Sequence, residues 1–406
     1  MVETARPARP EPALGAAVLG SLRKVGPWLE APDAGALRVL VVATSRSAAA
    51  VLFTRAWYLG LGLVVGITWL APLQAAVGFG ASALASALAL ALGLDGAIVR
   101  TGQYGYSALL TGRGLASAGA PAGGFWALAA GAAVLCLFAT AALRSALATL
   151  DLPVLTLPFL LVFPFVVAAM PIFGVPALPP AELATGGPLT DAFTSFGALF
   201  FVPRPEVGLL VTVAILLHSR IAVLLAATGF VAARLVLNQL AVPAGPELAE
   251  LVGYNAMLVA VAVGGVWFVP SRLSLGLAAL SAAVAALLGI VLWPVLVRLG
   301  WPVLALPFNA VVLGVLLTMR QRGAATGPIA ADPAASSPEA SATALAVRST
   351  RFGAPLPVQL QAPFLGRWTC TQGVDGETTH QGAWRHAFDF EVLGADGRPF
   401  TGRGEA

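Results

Sequence analysis

Across 406 residues, hydrophobic side chains make up 58% and charged ones only 10%, too little charge to cover the surface of a soluble protein of this size. The formal net charge of +4 comes mainly from arginine and forms no basic stripe with interleaved aromatics, which excludes a nucleic-acid-binding reading. A mean hydropathy of +0.87 points instead to an integral membrane protein.

In chain order, residues 1–38 are a polar, Pro-rich cytoplasmic start with one amphipathic stretch near Leu19–Leu29, and they lack the charged-then-apolar pattern of a cleaved signal peptide. From Val39 to Met319 apolar stretches alternate with short Gly/Pro/Arg junctions. The pattern predicts spans near 58–74, 77–93, 100–116, 124–143 and 160–176, then near 206–219, 221–240, 250–268, 273–297 and 308–320. Four segments, about 39–55, 147–159, 190–203 and 299–307, are too short or too interrupted to span, and each precedes a span. Half-length segments at membrane depth survive only where protein buries them or a polar path runs beside them.

The apolar region repeats. Gly105-Tyr106-Ser107-Ala108 returns as Gly253-Tyr254-Asn255-Ala256, Leu157-Pro158-Phe159 as Leu306-Pro307-Phe308, and Gly60 as Gly208, at offsets of 148, 149 and 148. Residues 39–180 and 181–322 are thus expected to be two repeats of five spans each. An odd number of spans forces the second repeat to insert upside down, which places a binding site near the midplane. The expected fold is all-α and polytopic, two inverted repeats with short re-entrant pore helices. A 323–350 linker rich in Ala, Pro and Ser reads as disordered. Residues 351–406 read as a small β-like tail with turn signals at Gly373, Asp375-Gly376 and Asp396-Gly397.

Chemistry concentrates in Asp151-Leu152-Pro153-Val154-Leu155-Thr156-Leu157-Pro158-Phe159. Prolines in a membrane helix remove donors and free carbonyls. Freed carbonyls and the Thr156 hydroxyl suit a flat solute made of N–H donors, such as urea, held between facing Phe rings. A single proline is more often a plain kink; the repeated pair favours a pore. The Gly-Tyr-(Ser/Asn)-Ala elements read as tight helix crossings, with Ser107 and Asn255 as hydrogen-bonding glue.

Charges are read from the ends of spans. Asp95, Asp151, Glu247, Glu250 and His218 sit there, no acid–histidine chain crosses the core, and no nucleotide loop occurs, so neither proton coupling nor ATP drive is expected. With both termini inside, Arg113, Arg204, Arg234 and Arg298 fall outside while most other basic residues are cytoplasmic. Cys136 sits in a span and Cys370 in the tail, with no metal or disulfide spacing between them.

GQYGYSALLTG, DLPVLTLPF, VGYNAMLVAVAVGG and LPFNAVVLGVLL resemble the urea transporter family over roughly residues 38–320, in the family's order and halves. The resemblance implies a homotrimer in the lipid bilayer, one pore per protomer, and passive, channel-like flux of urea or a short amide through a Phe-lined filter made by four short pore helices, without a cofactor. A bacterial inner membrane is the expected location. Carried over, the filter comprises Phe53, Thr156, Leu157, Phe159, Phe201 (or Phe200), Leu306, Phe308 and Asn309. Ala50 and Ala198 replace the family's Gln or Glu, Ala305 the second Thr, and Leu160 an Asn, so polar contacts to the solute are fewer. Ammonia, water or another small solute is the alternative cargo. The tail, with Gly366-Arg367-Trp368, Thr379-His380 and His386-Ala387-Phe388-Asp389-Phe390, resembles the opening of a lysostaphin-type zinc endopeptidase domain. That resemblance implies partial zinc ligation by His380 and Asp389. The third ligand does not follow before Ala406, so a fragment without activity is expected and the protein is not read as an enzyme. A membrane anchor for a peptidase-like domain is the remaining alternative.

Overall fold

The computed structural model describes residues 35–183, 186–322, 327–332, 335–352 and 368–393, and of 351–352 the backbone alone. The stretch near Leu19–Leu29, the Asp396-Gly397 turn and Gly366-Arg367 lie outside the described residues. Two compact units divide between Arg351 and Phe352.

The first unit is helical. In order it contains α1 (Ala36–Ala50), α2 (Trp57–Leu70), α3 (Pro72–Ala91), α4 (Gly96–Arg100), α5 (Gln103–Ala118), α6 (Phe125–Ala148) and α7 (Leu157–Ala169). There follow α8 (Pro188–Ala198), α9 (Pro205–His218), α10 (Arg220–Gln239), α11 (Pro246–Val261), α12 (Arg272–Arg298), α13 (Leu306–Arg320) and α14 (Pro338–Phe352). A π-helical turn, Ala262–Val266, prolongs α11. Among the described residues, five helices are long and apolar enough to cross a membrane: α3, α6, α10, α12, and α11 with its π turn. This is a multi-pass helical membrane protein. Trp69, Leu224, Leu280 and Val291 are exposed on its outer surface, as lipid contact requires.

Ten full spans were expected, and the difference is informative: the expected 100–116 span is α5, of 16 residues, which is neither among the five long helices nor among the shorter apolar ones. Helices α2, α7, α9 and α13 are shorter apolar helices of 14, 13, 14 and 15 residues. At ~1.5 Å per residue such helices reach only about 20 Å. The chain just before each is non-helical: 51–56, 149–156, 199–204 and 299–305. Two of the four expected short segments form helices, α1 and α8. The other two, 147–159 and 299–307, are not helices of their own: α6 and α12 run on to Ala148 and Arg298, and turns and extended chain follow. The prolines explain this. Pro158 and Pro307 lie in the first turns of α7 and α13, where no intrahelical donor is lost, so they start helices and do not kink them.

The two halves share backbone detail at the sequence offset. A Cβ on Gly60 would lie 1.7 Å from the Ser45 carbonyl oxygen, and one on Gly208 1.8 Å from the Phe193 carbonyl oxygen. Only glycine lets α2 cross α1, and α9 cross α8, so closely. Phe53 and Phe201 follow the two crossings with φ of 57° and 58°, and Leu155 and Leu304 have φ of 50° each. Left-handed backbone at bulky residues is costly and marks a constrained site.

Beyond α13 the chain folds back. Phe268 and Ala330 form an antiparallel bridge, and Glu339 at the start of α14 accepts from the Ile221 N–H at 2.9 Å. The expected disordered linker, 323–350, is therefore partly helical: Pro338 begins the helix and Glu339 ties it to the α9–α10 junction. The second unit contains an antiparallel pair, β1 (Thr369–Gln372) and β2 (Asp389–Glu391), with the expected turns at Gly373 and Asp375-Gly376 between the strands.

Candidate functional site

The four left-handed turns converge. A cavity of about 60 Å³ is lined by Phe53, Thr156, Phe159, Ala198, Phe201, Leu304, Ala305 and Phe308, with Tyr106 and Tyr254. It has room for a solute of a few heavy atoms and none for a hydrated ion. A wider vestibule of about 650 Å³ shares Phe53, Tyr106 and Phe308 with it and adds Ala50, Gln103, Arg144, Leu155 and Trp267.

The rings pair across the halves. Phe53 sits 5.9 Å from Phe308, and Phe201 sits 5.7 Å from Phe159, centroid to centroid. Each pair joins a turn residue of one half to a Leu-Pro-Phe residue of the other. The expectation of two facing rings is thus replaced by four rings in two cross-half pairs. Trp267 stands edge-on to Phe53 at 5.8 Å from the vestibule side.

Polar groups are few and well held. Asn309 is 1% exposed and does not line the cavity. Its Oδ1 accepts from the Thr156 N–H at 3.2 Å, while its Nδ2 donates to Thr156 Oγ1 at 2.5 Å and to the Ala305 carbonyl at 2.7 Å. Thr156 lines the cavity, and with one lone pair of its Oγ1 engaged, its hydroxyl hydrogen remains available to donate. Asn255 does the same for the other loop. Its Oδ1 accepts from the Phe308 N–H at 2.9 Å and its Nδ2 donates to the Leu304 carbonyl at 3.0 Å. Ser107 makes no such bond; its hydroxyl is buried and has no partner. The freed carbonyls expected along the path are partly taken: Phe200 accepts from Arg113, Phe201 from Ser117, Leu304 from Asn255, Ala305 from Asn309. Those of Phe53 and Leu155 accept no hydrogen bond from the described residues.

Of the residues carried over, Phe53, Thr156, Phe159, Ala198, Phe201 and Phe308 line the small cavity and Ala50 the vestibule. Leu157 and Leu306 open their helices without lining either space, and Phe200 is fully buried behind the turn. Tyr106, Tyr254 and Trp267 were not anticipated. The two tyrosines occupy equivalent positions in the repeated Gly-Tyr element, whose sequence reading is a tight helix crossing with Ser107 and Asn255 as hydrogen-bonding glue. Arg113, assigned to the non-cytoplasmic side at the end of the expected 100–116 span, is fully buried within α5. His218 closes α9 with its Nδ1 3.2 Å from Thr54 Oγ1.

In the second unit His380 Nε2 lies 3.2 Å from Asp389 Oδ2, and its Nδ1 lies 2.8 Å from the Gly373 carbonyl. Both ring nitrogens are engaged, and among the described residues no cluster of three His, Cys, Asp or Glu could hold a metal. Two ligands do not make a zinc site.

Residues 41–320 match the family described as urea transporter. Urea transporter 1 of sheep (Ovis aries) is 27% identical over 320 residues, covering 75% of this chain and 83% of the relative. Urea transporter 1 of goat (Capra hircus) gives the same figures, 27% over 320 residues. For rat (Rattus norvegicus) urea transporter 1 the identity is 26% over 266 residues, 62% of this chain and 69% of the relative.

Proposed function

The chain belongs to the urea transporter family, and from that premise we propose how it passes urea: by passive, channel-like diffusion through the four-ring constriction. It is a transporter, not an enzyme. The observation that carries the reading is the small cavity itself, walled by two cross-half ring pairs with one oriented hydroxyl. Planar urea slides between ring faces edge-on. The Thr156 hydroxyl donates to its oxygen, and the Phe53 and Leu155 carbonyls accept from its N–H groups. Each buried donor left unmade would cost about 1–3 kcal/mol, so these few contacts decide which neutral solute crosses. Ala198 and Ala305 in the cavity and Ala50 in the vestibule present apolar surface, which admits short amides beside urea.

Finer features belong to the same proposal. The recurring crossings at Gly60 and Gly208 and the paired left-handed turns support two inverted repeats, 39–180 and 181–322. A homotrimer and a bacterial cytoplasmic membrane complete the reading; helical rather than barrel spans support that membrane. Both termini lie inside, and moving Arg113 into the core only sharpens the basic asymmetry. The proximity of His380 and Asp389 supports a zinc-peptidase-like ancestry for the tail.

Stopped-flow light scattering on proteoliposomes tests the proposal. An inward urea gradient should produce fast re-swelling, and Phe159→Trp, which fills the slot, should abolish it while the protein still elutes as a folded species. Unmodified protein indistinguishable from empty liposomes for urea, but passing ammonia or water, would replace the cargo and keep the pore.

A further inference from the structure

One intramembrane charge has no part in the filter chemistry above. Arg113 lies within α5 with no exposed surface. Its Nε donates to the Phe200 carbonyl at 2.6 Å, and its guanidinium carbon stands 5.7 Å and 5.6 Å from the ring centres of Phe79 and Phe200. Neither terminal nitrogen has a hydrogen-bond partner, and no carboxylate among the described residues pairs with it. Gly78 is bare for its sake: a Cβ there would lie 2.2 Å from Arg113 Cγ. The residue 148 positions on is apolar Val261, so this charge has no counterpart in the second half.

A desolvated charge in a membrane span is expensive and is retained where it acts. This one sits directly behind the filter. Phe201, next to the residue that Arg113 grips, lines the constriction, and Ser117 on the same helix donates to the Phe201 carbonyl at 2.9 Å. We propose that Arg113 is a specificity-determining residue, whose uncompensated positive charge bars small cations from the constriction while neutral urea passes. The inference rests on the transport reading above. Field lines from an unpaired charge in low dielectric extend across a narrow apolar slot with little screening. Shape alone cannot do this work, because guanidinium is as flat and nearly as small as urea. The same logic covers ammonium and protonated amines.

Guanidinium is therefore the probe. In proteoliposomes of the unmodified chain, urea flux should exceed guanidinium flux by at least about a hundredfold, as expected for a charge facing another across a dry slot. In Arg113→Gln, which keeps a donor for the Phe200 carbonyl and removes the charge, the guanidinium-to-urea ratio should rise at least about tenfold, and ammonium should follow. Arg113→Met keeps the stem over Gly78 and serves if the Gln variant does not reconstitute. A role limited to holding the Phe200–Phe201 turn would change both fluxes together and leave the ratio where it was. Unmodified protein passing guanidinium within about tenfold of urea overturns the proposal, as does a neutral variant that keeps the original ratio. Protein that passes neither solute overturns the transport reading instead, and the charge filter with it.

Discussion

Asn309→Leu removes a side chain that never touches the cavity, yet it should slow urea. Asn309 belongs to the second half and holds the first-half filter loop through two bonds to Thr156, at 3.2 and 2.5 Å, and braces its own loop through Ala305 at 2.7 Å. Leucine has the same number of side-chain heavy atoms and the same branching, so the shape is approximately kept while the polar contacts go. The Ala305 carbonyl still accepts from the residue-309 N–H, and the Thr156 hydroxyl can rotate. The Thr156 N–H, in a loop whose Thr156 is 4% exposed, is left without a partner. That costs about 1–3 kcal/mol. Taking ~1.4 kcal/mol, the equilibrium constant for the conducting arrangement of the loop falls about tenfold, which lowers urea permeability by up to about tenfold. Stopped-flow permeability should be measured for Asn309→Leu, Thr156→Ala and the double variant, with thermal stability as a folding control. Because both single changes disable one unit, the double variant should be scarcely slower than the worse single. Permeability within about twofold of the unmodified protein, or losses that simply multiply, would refute the argument that Asn309 acts through Thr156.

Ala305→Thr restores a second hydroxyl opposite Thr156 and should raise the urea-to-acetamide permeability ratio severalfold, read by the same swelling assay with each solute. Gly60→Ala places a methyl where the Ser45 carbonyl oxygen stands, 1.7 Å from an ideal Cβ, and should sharply lower folded yield and melting temperature; Gly62→Ala, with open space at its Cβ, is the matched control. Glu339 anchors α14. Burial alone would raise its pKa, but the hydrogen bond from the Ile221 N–H, with the Ser219 hydroxyl and the Glu339 and Arg220 N–H groups close by, holds it below the ordinary glutamate value. A lowered folded value means that the contact is fully present above the unfolded pKa, about 4.3, and is lost as pH falls through the folded one. Amide-exchange protection of Ile221, corrected for intrinsic rates, should hold from pH 7 to about 5 and drop below that window. Glu339→Gln should abolish the pH dependence.

The class of this protein was legible at once, because membrane insertion reads a local property. Low charge and long apolar runs state it without reference to any contact. The internal repeat was legible too, since Gly60 and Gly208, or Leu157-Pro158-Phe159 and Leu306-Pro307-Phe308, carry equal backbone demands at equal positions. Phe53, Phe159, Phe201 and Phe308 could be named as lining residues, but not paired. Only the docking of one half on the other sets Phe53 against Phe308 and Phe201 against Phe159, and no local window contains that information. The same holds for Asn309, whose partner Thr156 lies 153 residues away, and for Arg113, whose partner Phe200 lies 87 residues away. The sequence placed Arg113 near the non-cytoplasmic end of a span and held nothing to show what receives its charge. The tertiary structure buries it because two phenyl rings, a bare Gly78 and a carbonyl arrive from elsewhere in the chain to receive it.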